Sequence, residues 1–250
     1  MAIAAVCSRT GELPKCKMEG RGKERRHMNF GKKDDKQMAG TAAVIAAAGL
    51  ASRMGALKPL LPLGDTTVIG YAVRTLKQAG VSRIITVTGR DAKRLWMHLI
   101  PMGVECVHNP DFETTDMFRS ACLGMERLKE SGERFFFLPA DCPLFTGQTL
   151  RTMAAYMDRT GCGMAQPLCG GRKGHPILIS GALLPAILSY QGTDGMRGAV
   201  RALDIPSFCV PVSDEGVTMD ADTPEDYHRL LNFYENRLRD AAAASEKRNL

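Results

Sequence analysis

VIAAAGLASRMGALKPLLPLG, residues 44–64, opens the organised part of this 250-residue chain. Its first five residues, 44–48, are all apolar, as a parallel strand covered on both faces must be. A loop of small residues follows, bounded by Gly49 and Gly55 and carrying Arg53. Lys58 stands just beyond it, before a Pro-Leu-Leu-Pro run. A strand that runs into a glycine-bounded loop leaves backbone N–H groups able to face an anion. Arg53 and Lys58 add two cations at the same edge. A triphosphate would satisfy all of these groups together.

The loop fits neither of the two commonest phosphate fingerprints, since GxxxxGK[ST] and GxGxxG cannot be written here. It resembles instead the LAAGxSxRMGxxKxLLPxxG signature of the molybdenum cofactor nucleotidyltransferases, in the form carried by the cytidylyltransferase branch. Ala46 stands for the leading Leu and Ala51 for a small polar residue. The resemblance implies one α/β, Rossmann-like nucleotidyltransferase (GT-A-like) domain with a mostly parallel sheet flanked by helices. It also implies nucleotide binding by Ala47, Ala48, Gly49, Arg53 and Lys58, the two cations being catalytic as well.

Charge is uneven along the chain. Residues 1–40 hold ten Lys and Arg against five Asp and Glu, a net of +5 out of the chain's +6. The basic balance is therefore a property of this segment, expected to be a disordered tail, and gives the body no reason to bind nucleic acid. Eight cysteines include no C-x-x-C pair. Cys106, Cys122, Cys162 and Cys209 fall in apolar or helical settings, where a reduced cysteine is a small core residue. No run approaches the roughly 18 apolar residues of a membrane helix. The expectation is a reducing cytoplasm without membrane attachment.

Along the chain, residues 67–80 have apolar side chains at helical spacing and end on glycine. RIITVT at 83–88 reads as a strand, 92–100 as a helix and 104–107 as a short strand. This alternation argues for a parallel sheet with helices on both faces. A helix over 117–129 is expected, with Asp116 as its N-cap. RFFFLP at 134–139 is the most apolar strand, and 162–168 and the edge segment 207–212 read as strands too. The last helix is expected from Pro224, capped by Thr223, to about Arg239, with residues 241–250 fraying. The domain is thus 41–240.

Asp141 lies just past the strand at 134–139, where open α/β sheets bind their ligands. The resemblance extends here, because the family keeps an Asp-x-Pro-Leu at this place whose Asp binds Mg²⁺. MDADTPEDY at 219–227 matches the family's D-x-D-T-P-E-D-Y. Helix capping explains Thr223 to Asp226 but not Asp220 and Asp222, so Asp141 and one of these two are the expected Mg²⁺ ligands. All are oxygen donors, which suits Mg²⁺ over a transition metal. Asn109, Pro110, Met117 and Ser120 fit the family over the next interval, which implies nucleotide contact at Ser120. GGRKGHP at 170–176 resembles the family's GR-x-GHP segment, implying that Arg172 and His175 border the acceptor.

The implied reaction is transfer of a nucleoside monophosphate to a phosphorylated acceptor with loss of pyrophosphate. CTP and molybdopterin are the implied donor and acceptor, with a molybdoenzyme as client. A sugar or polyol phosphate acceptor remains open at this point, as does a non-catalytic protein that delivers nucleotide or cofactor. An oxidoreductase finds no dinucleotide fingerprint to support it.

Overall fold

The computed structural model describes residues 38–49, 57–131, 133–205 and 208–246; Arg53, the basic segment 1–37 and residues 247–250 lie outside them. Among the described residues the strands are β1 (Thr41–Ala47), β2 (Pro62–Leu63), β3 (Thr66–Thr67), β4 (Arg83–Thr88), β5 (Glu105–His108), β6 (Arg134–Pro139), β7 (Met164–Cys169), β8 (Arg172–Lys173), β9 (Ile177–Ile179) and β10 (Phe208–Pro211). The helices are α1 (Val68–Gln78), α2 (Ala92–Leu99), α3 (Met117–Glu126), α4 (Gly147–Thr160), α5 (Leu184–Ser189), α6 (Gly195–Ala202) and α7 (Pro224–Glu246). The main sheet runs in the order β10-β7-β9-β6-β1-β4-β5, with β8 turned back on β7. β2 and β3 form a separate hairpin.

β1 lies between β4 and β6 and is parallel to both. Every one of its residues is buried, because both faces are covered. Ala43, Ile45 and Ala47 point to one face, where Val73 and Leu76 of α1, Leu95 of α2 and Met153 of α4 pack. Ala42, Val44 and Ala46 point to the other, against Phe118 and Met125 of α3 and Ile187 of α5. A third, smaller cluster joins Leu63, Val68, Leu144 and Ala221 to Leu230 of α7.

Capping fixes where the helices start. The Thr67 side chain accepts from the Gly70 amide and opens α1, and the Asp116 side chain accepts from the Arg119 amide and opens α3. β10 lies at the sheet edge, where Pro211 needs no ladder donor.

Three features differ from the sequence reading. β9 runs antiparallel between β6 and β7, an insertion in an otherwise parallel order. Met38, assigned by composition to the tail, is fully buried and packs against Gly80, so the packed unit begins before residue 41. Its carbonyl also accepts from the Thr41 amide at 3.1 Å. α7 continues to Glu246 rather than ending near Arg239, carried by the alanine run 241–244, the residue type with the highest helix propensity.

Candidate active site

The carboxyl ends of β1 and β6 lie side by side. Ala140 N donates to Ala46 O at 3.0 Å, which sets Asp141 beside the Ala47–Gly49 edge where β1 leaves the sheet. Asp141 O in turn accepts from Ala221 N at 3.1 Å, so the 219–222 segment is laid along the Asp141 loop. Lys58 opens a short 3-10 turn (Lys58–Leu60), and its Nζ reaches Asp222 Oδ1 at 3.0 Å. The structure therefore brings Lys58, Asp141, Asp220 and Asp222 together from three places in the sequence.

The carboxylates are close enough to disturb one another. Burial is the main cause that holds Asp141 above the ordinary carboxylate range; Asp222 and Asp220 add to it, while Lys58 opposes. Asp220 is raised for the same leading reason, with Asp222 and Asp226 adding to it. Concentrated negative charge of this kind favours a cation.

Helix capping does not account for Asp141. α4 is capped by Thr146, whose Oγ1 accepts from Thr149 N at 3.2 Å. At α7, Thr223 Oγ1 accepts from Asp226 N at 3.1 Å and Asp226 Oδ2 accepts from Thr223 N at 3.1 Å, a reciprocal capping box. Thr223 and Asp226 are thus employed by the helix, and Asp220 and Asp222 are not.

No three His, Cys, Asp or Glu side chains among the described residues form a ready-made metal cage. Mg²⁺ does not ask for one, since it commonly sits on one or two carboxylates together with substrate phosphates. The all-oxygen donor set of Asp141 with Asp220 or Asp222 fits that habit, and the Lys58 ammonium already sits as a cation on Asp222. Cys142 is no nucleophile here. Its buried thiol is pushed well above the usual range, first by burial and then by Asp141, toward which its Sγ points at 3.7 Å.

The other expected residues fall as follows. Ala47 and Ala48 are buried, Ala48 at 3% exposure with its methyl in the α3-side cluster, and Gly49 is exposed. The end of β4 presses on this edge: a Cβ on Gly89 would come 2.7 Å from Ala48 O. Ser120 is 2% exposed on α3. Its hydroxyl donates to Asp116 O at 3.0 Å and accepts from Asn109 Nδ2 at 2.8 Å, so it holds the 109–116 loop.

Arg172 is exposed on β8 and lines a cleft of about 500 Å³ together with Asp220, Asp226 and Arg229. His175 is not among the residues lining it. The His175 amide donates to Val217 O at 2.8 Å, and the His175–Pro176 bond is cis. Its buried Nδ1 has no hydrogen-bond partner among the described residues. Burial lowers its pKa to about 4, against a hydrogen bond to the Phe137 backbone that acts the other way. His175 is therefore neutral near pH 7. Asp214 and Arg237, which tie the 214–222 segment to the Asp141 loop, escaped the sequence reading; neither sits in a recurrent motif.

Comparison with known proteins places the chain in a family. The family model described as MobA-like NTP transferase domain matches residues 43–206. The chain is 29% identical over 191 residues to the molybdenum cofactor cytidylyltransferase of Escherichia coli strain K12, spanning 76% of this chain and 95% of that protein. It is also 26% identical over 195 residues to nicotine blue oxidoreductase of Paenarthrobacter nicotinovorans, across 75% of this chain and 95% of that one. A solved nucleotidyl transferase from Methanothermobacter thermautotroptrophicus superposes with a TM-score of 0.68 at 25% identity, covering 79% of this chain and 98% of that chain. The chain belongs to the MobA-like NTP transferase family.

Proposed function

We propose that this nucleotidyltransferase moves CMP from CTP to a phosphorylated acceptor of the molybdopterin type, with release of pyrophosphate. The observation that carries the reading is the meeting of Asp141, at the carboxyl end of β6, with the Lys58–Asp222 pair. The acceptor and donor rest on the similarity to the Escherichia coli cytidylyltransferase.

An acceptor phosphate oxygen attacks the α-phosphorus, the new P–O bond forms in line, and the bond to the β-phosphate oxygen breaks. No covalent enzyme intermediate is needed, so the chain's task is positioning and charge neutralisation. Lys58 leaves Asp222 for the triphosphate and, with Arg53 from the loop outside the described residues, offsets charge on the phosphorus and the departing pyrophosphate. Asp141 with Asp220 or Asp222 would hold Mg²⁺, whose chemistry is to neutralise phosphate oxygens and fix their orientation. Arg172 lines the cleft beside Asp220 and would meet the acceptor's anionic end there.

A thermal-shift panel of nucleoside triphosphates with and without Mg²⁺ tests the reading, since a ligand of the folded state raises apparent stability by mass action. CTP with Mg²⁺ should stabilise most. The similarity to nicotine blue oxidoreductase supports one rival, a redox activity. A nicotinamide dinucleotide, as a general redox probe, belongs in the same panel, and stabilisation by it in place of any triphosphate would favour that rival.

A further inference from the structure

Asp214 stands at the entrance to the 3-10 turn (Glu215–Thr218) that leads to Asp220 and Asp222. Its side chain is only 7% exposed. Oδ2 accepts from Thr146 N and from Thr149 Oγ1, both at 2.7 Å. Oδ1 accepts from Arg237 Nη2 at 2.8 Å, and Arg237 Nη1 reaches on to Leu144 O at 2.7 Å. One carboxylate and one guanidinium therefore join the run after Asp141, the start of α4, the approach to the Asp220–Asp222 segment, and α7.

Between this tie and the carboxylate cluster the two strips of chain stay in contact. Gly216 lies so near Leu144 that a Cβ would meet its carbonyl oxygen at 2.0 Å. Ala221 N then bonds Asp141 O at 3.1 Å. At the far end sit Asp141, Asp220 and Asp222, like charges that push these strips apart. Lys58 offsets part of this repulsion from within the cluster, and the Asp214–Arg237 tie restrains the same strips from outside it. We propose that Asp214 and Arg237 are positioning residues for the nucleotide and metal site: they lock the 214–222 segment against the 141–146 segment, so that Asp141 meets its partner carboxylates. The proposal rests on reading that cluster as the metal and nucleotide site. Residues that orient ligands from outside the first contacts typically change affinity by 10–100-fold when lost.

The test compares wild type with Asp214→Asn and with Thr149→Val, a milder variant that removes one bond to Asp214 together with the Thr149–Thr146 hydroxyl contact and keeps the side-chain shape. Two measurements are made: hydrogen exchange of the Ala221 amide, and calorimetric CTP affinity with and without Mn²⁺. In Asp214→Asn, Ala221 should exchange at least about tenfold faster while the Ile45 and Phe137 amides keep wild-type rates. The Mn²⁺-dependent gain in CTP affinity should fall about tenfold, with metal-free CTP binding unchanged. Thr149→Val should shift both readouts the same way by less, and it carries the test if Asp214→Asn does not fold. Wild-type exchange at Ala221 in both variants, or faster exchange with the Mn²⁺ gain intact, would overturn the proposal even where Tm falls. A wild type that shows no Mn²⁺-dependent gain would instead remove the nucleotide reading, leaving Ala221 exchange to decide whether the tie holds the two segments.

Discussion

Lys58 Nζ lies 3.0 Å from Asp222 Oδ1, an ion pair closed across 164 positions of sequence. The side chains are 16% and 55% exposed, so water screens the pair. Its contribution to folding should be about 0–1 kcal/mol, as for exposed ion pairs generally. Lys58→Met is therefore expected to change Tm little. Turnover should fall by about 10²–10³, the usual cost of removing one preorganised group that meets transition-state charge. Circular dichroism and pyrophosphate release on one preparation check both halves. A variant with wild-type kcat would remove Lys58 from the reaction.

Asp141 carries a prediction of opposite sign for stability and activity. Its pKa is raised in the folded protein, so the fold keeps a proton that the unfolded chain has released. Ligand-free stability is consequently lost as pH rises through the ordinary value of 3.8, and the loss is complete above the raised value. Asp141→Asn should raise the ligand-free Tm at pH 7, by about 2–4 °C for each kcal/mol relieved. The gain should vanish once pH drops below the ordinary carboxylate range, while turnover is abolished throughout. An Asn variant that releases pyrophosphate at the wild-type rate in limiting Mg²⁺ would refute the metal assignment.

His175 titrates from 6.5 down to about 4 on folding, chiefly through burial. As pH falls from 6.5 toward 4, the unfolded chain takes up a proton that the folded protein does not. Stability should decline across that window and level off below it. His175→Gln should flatten this part of the Tm–pH curve. Its KM for the acceptor near pH 7 should not follow the imidazole charge, because the ring is neutral there. An NMR titration placing His175 near 6.5 would contradict this account.

The parts of the fold that the sequence states plainly are those where local pattern and tertiary role agree. β4 and β6 are unbroken runs with a buried destiny, and both span the residues their composition marks out, Arg83–Thr88 and Arg134–Pro139. Thr67 and Asp116 are strong caps, and they sit where α1 and α3 begin. β9 was not legible because three residues, Ile177–Ile179, give no period, and its antiparallel pairing depends on a crossover. Met38 was hidden by its neighbours: composition averaged over a basic stretch cannot single out one buried side chain.

The site divides in the same way. Asp141 and the Asp220–Asp222 pair were readable from position and motif, since capping left them unused. Asp214 and Arg237 were not, because a loop carboxylate and a helix arginine 23 residues apart carry no signal until the chain folds them together. Ser120, a motif residue, has its hydroxyl bonded to Asp116 and Asn109, partners that the motif does not reveal.

The edge where β1 ends carries a prediction on donor choice. Ala48 is followed by Gly49, and its methyl is packed in the α3-side cluster. A glycine there would let the backbone approach a ligand more closely and free room for a two-ring base. A single methyl discriminates by about 10–200-fold at most. Ala48→Gly should accordingly narrow the gap between CTP and GTP without inverting it, read as the ratio of kcat/KM with one acceptor. An unchanged ratio would take Ala48 out of base selection.

The most direct measurement follows label from α-phosphate-labelled CTP and GTP onto purified molybdopterin in the presence of Mg²⁺, with pyrophosphate counted in the same tube. Labelled CMP should appear on the acceptor in step with pyrophosphate, with CTP favoured over GTP by about tenfold or more in kcat/KM. Label that stays on the nucleotide, or GTP used as well as CTP, would contradict it.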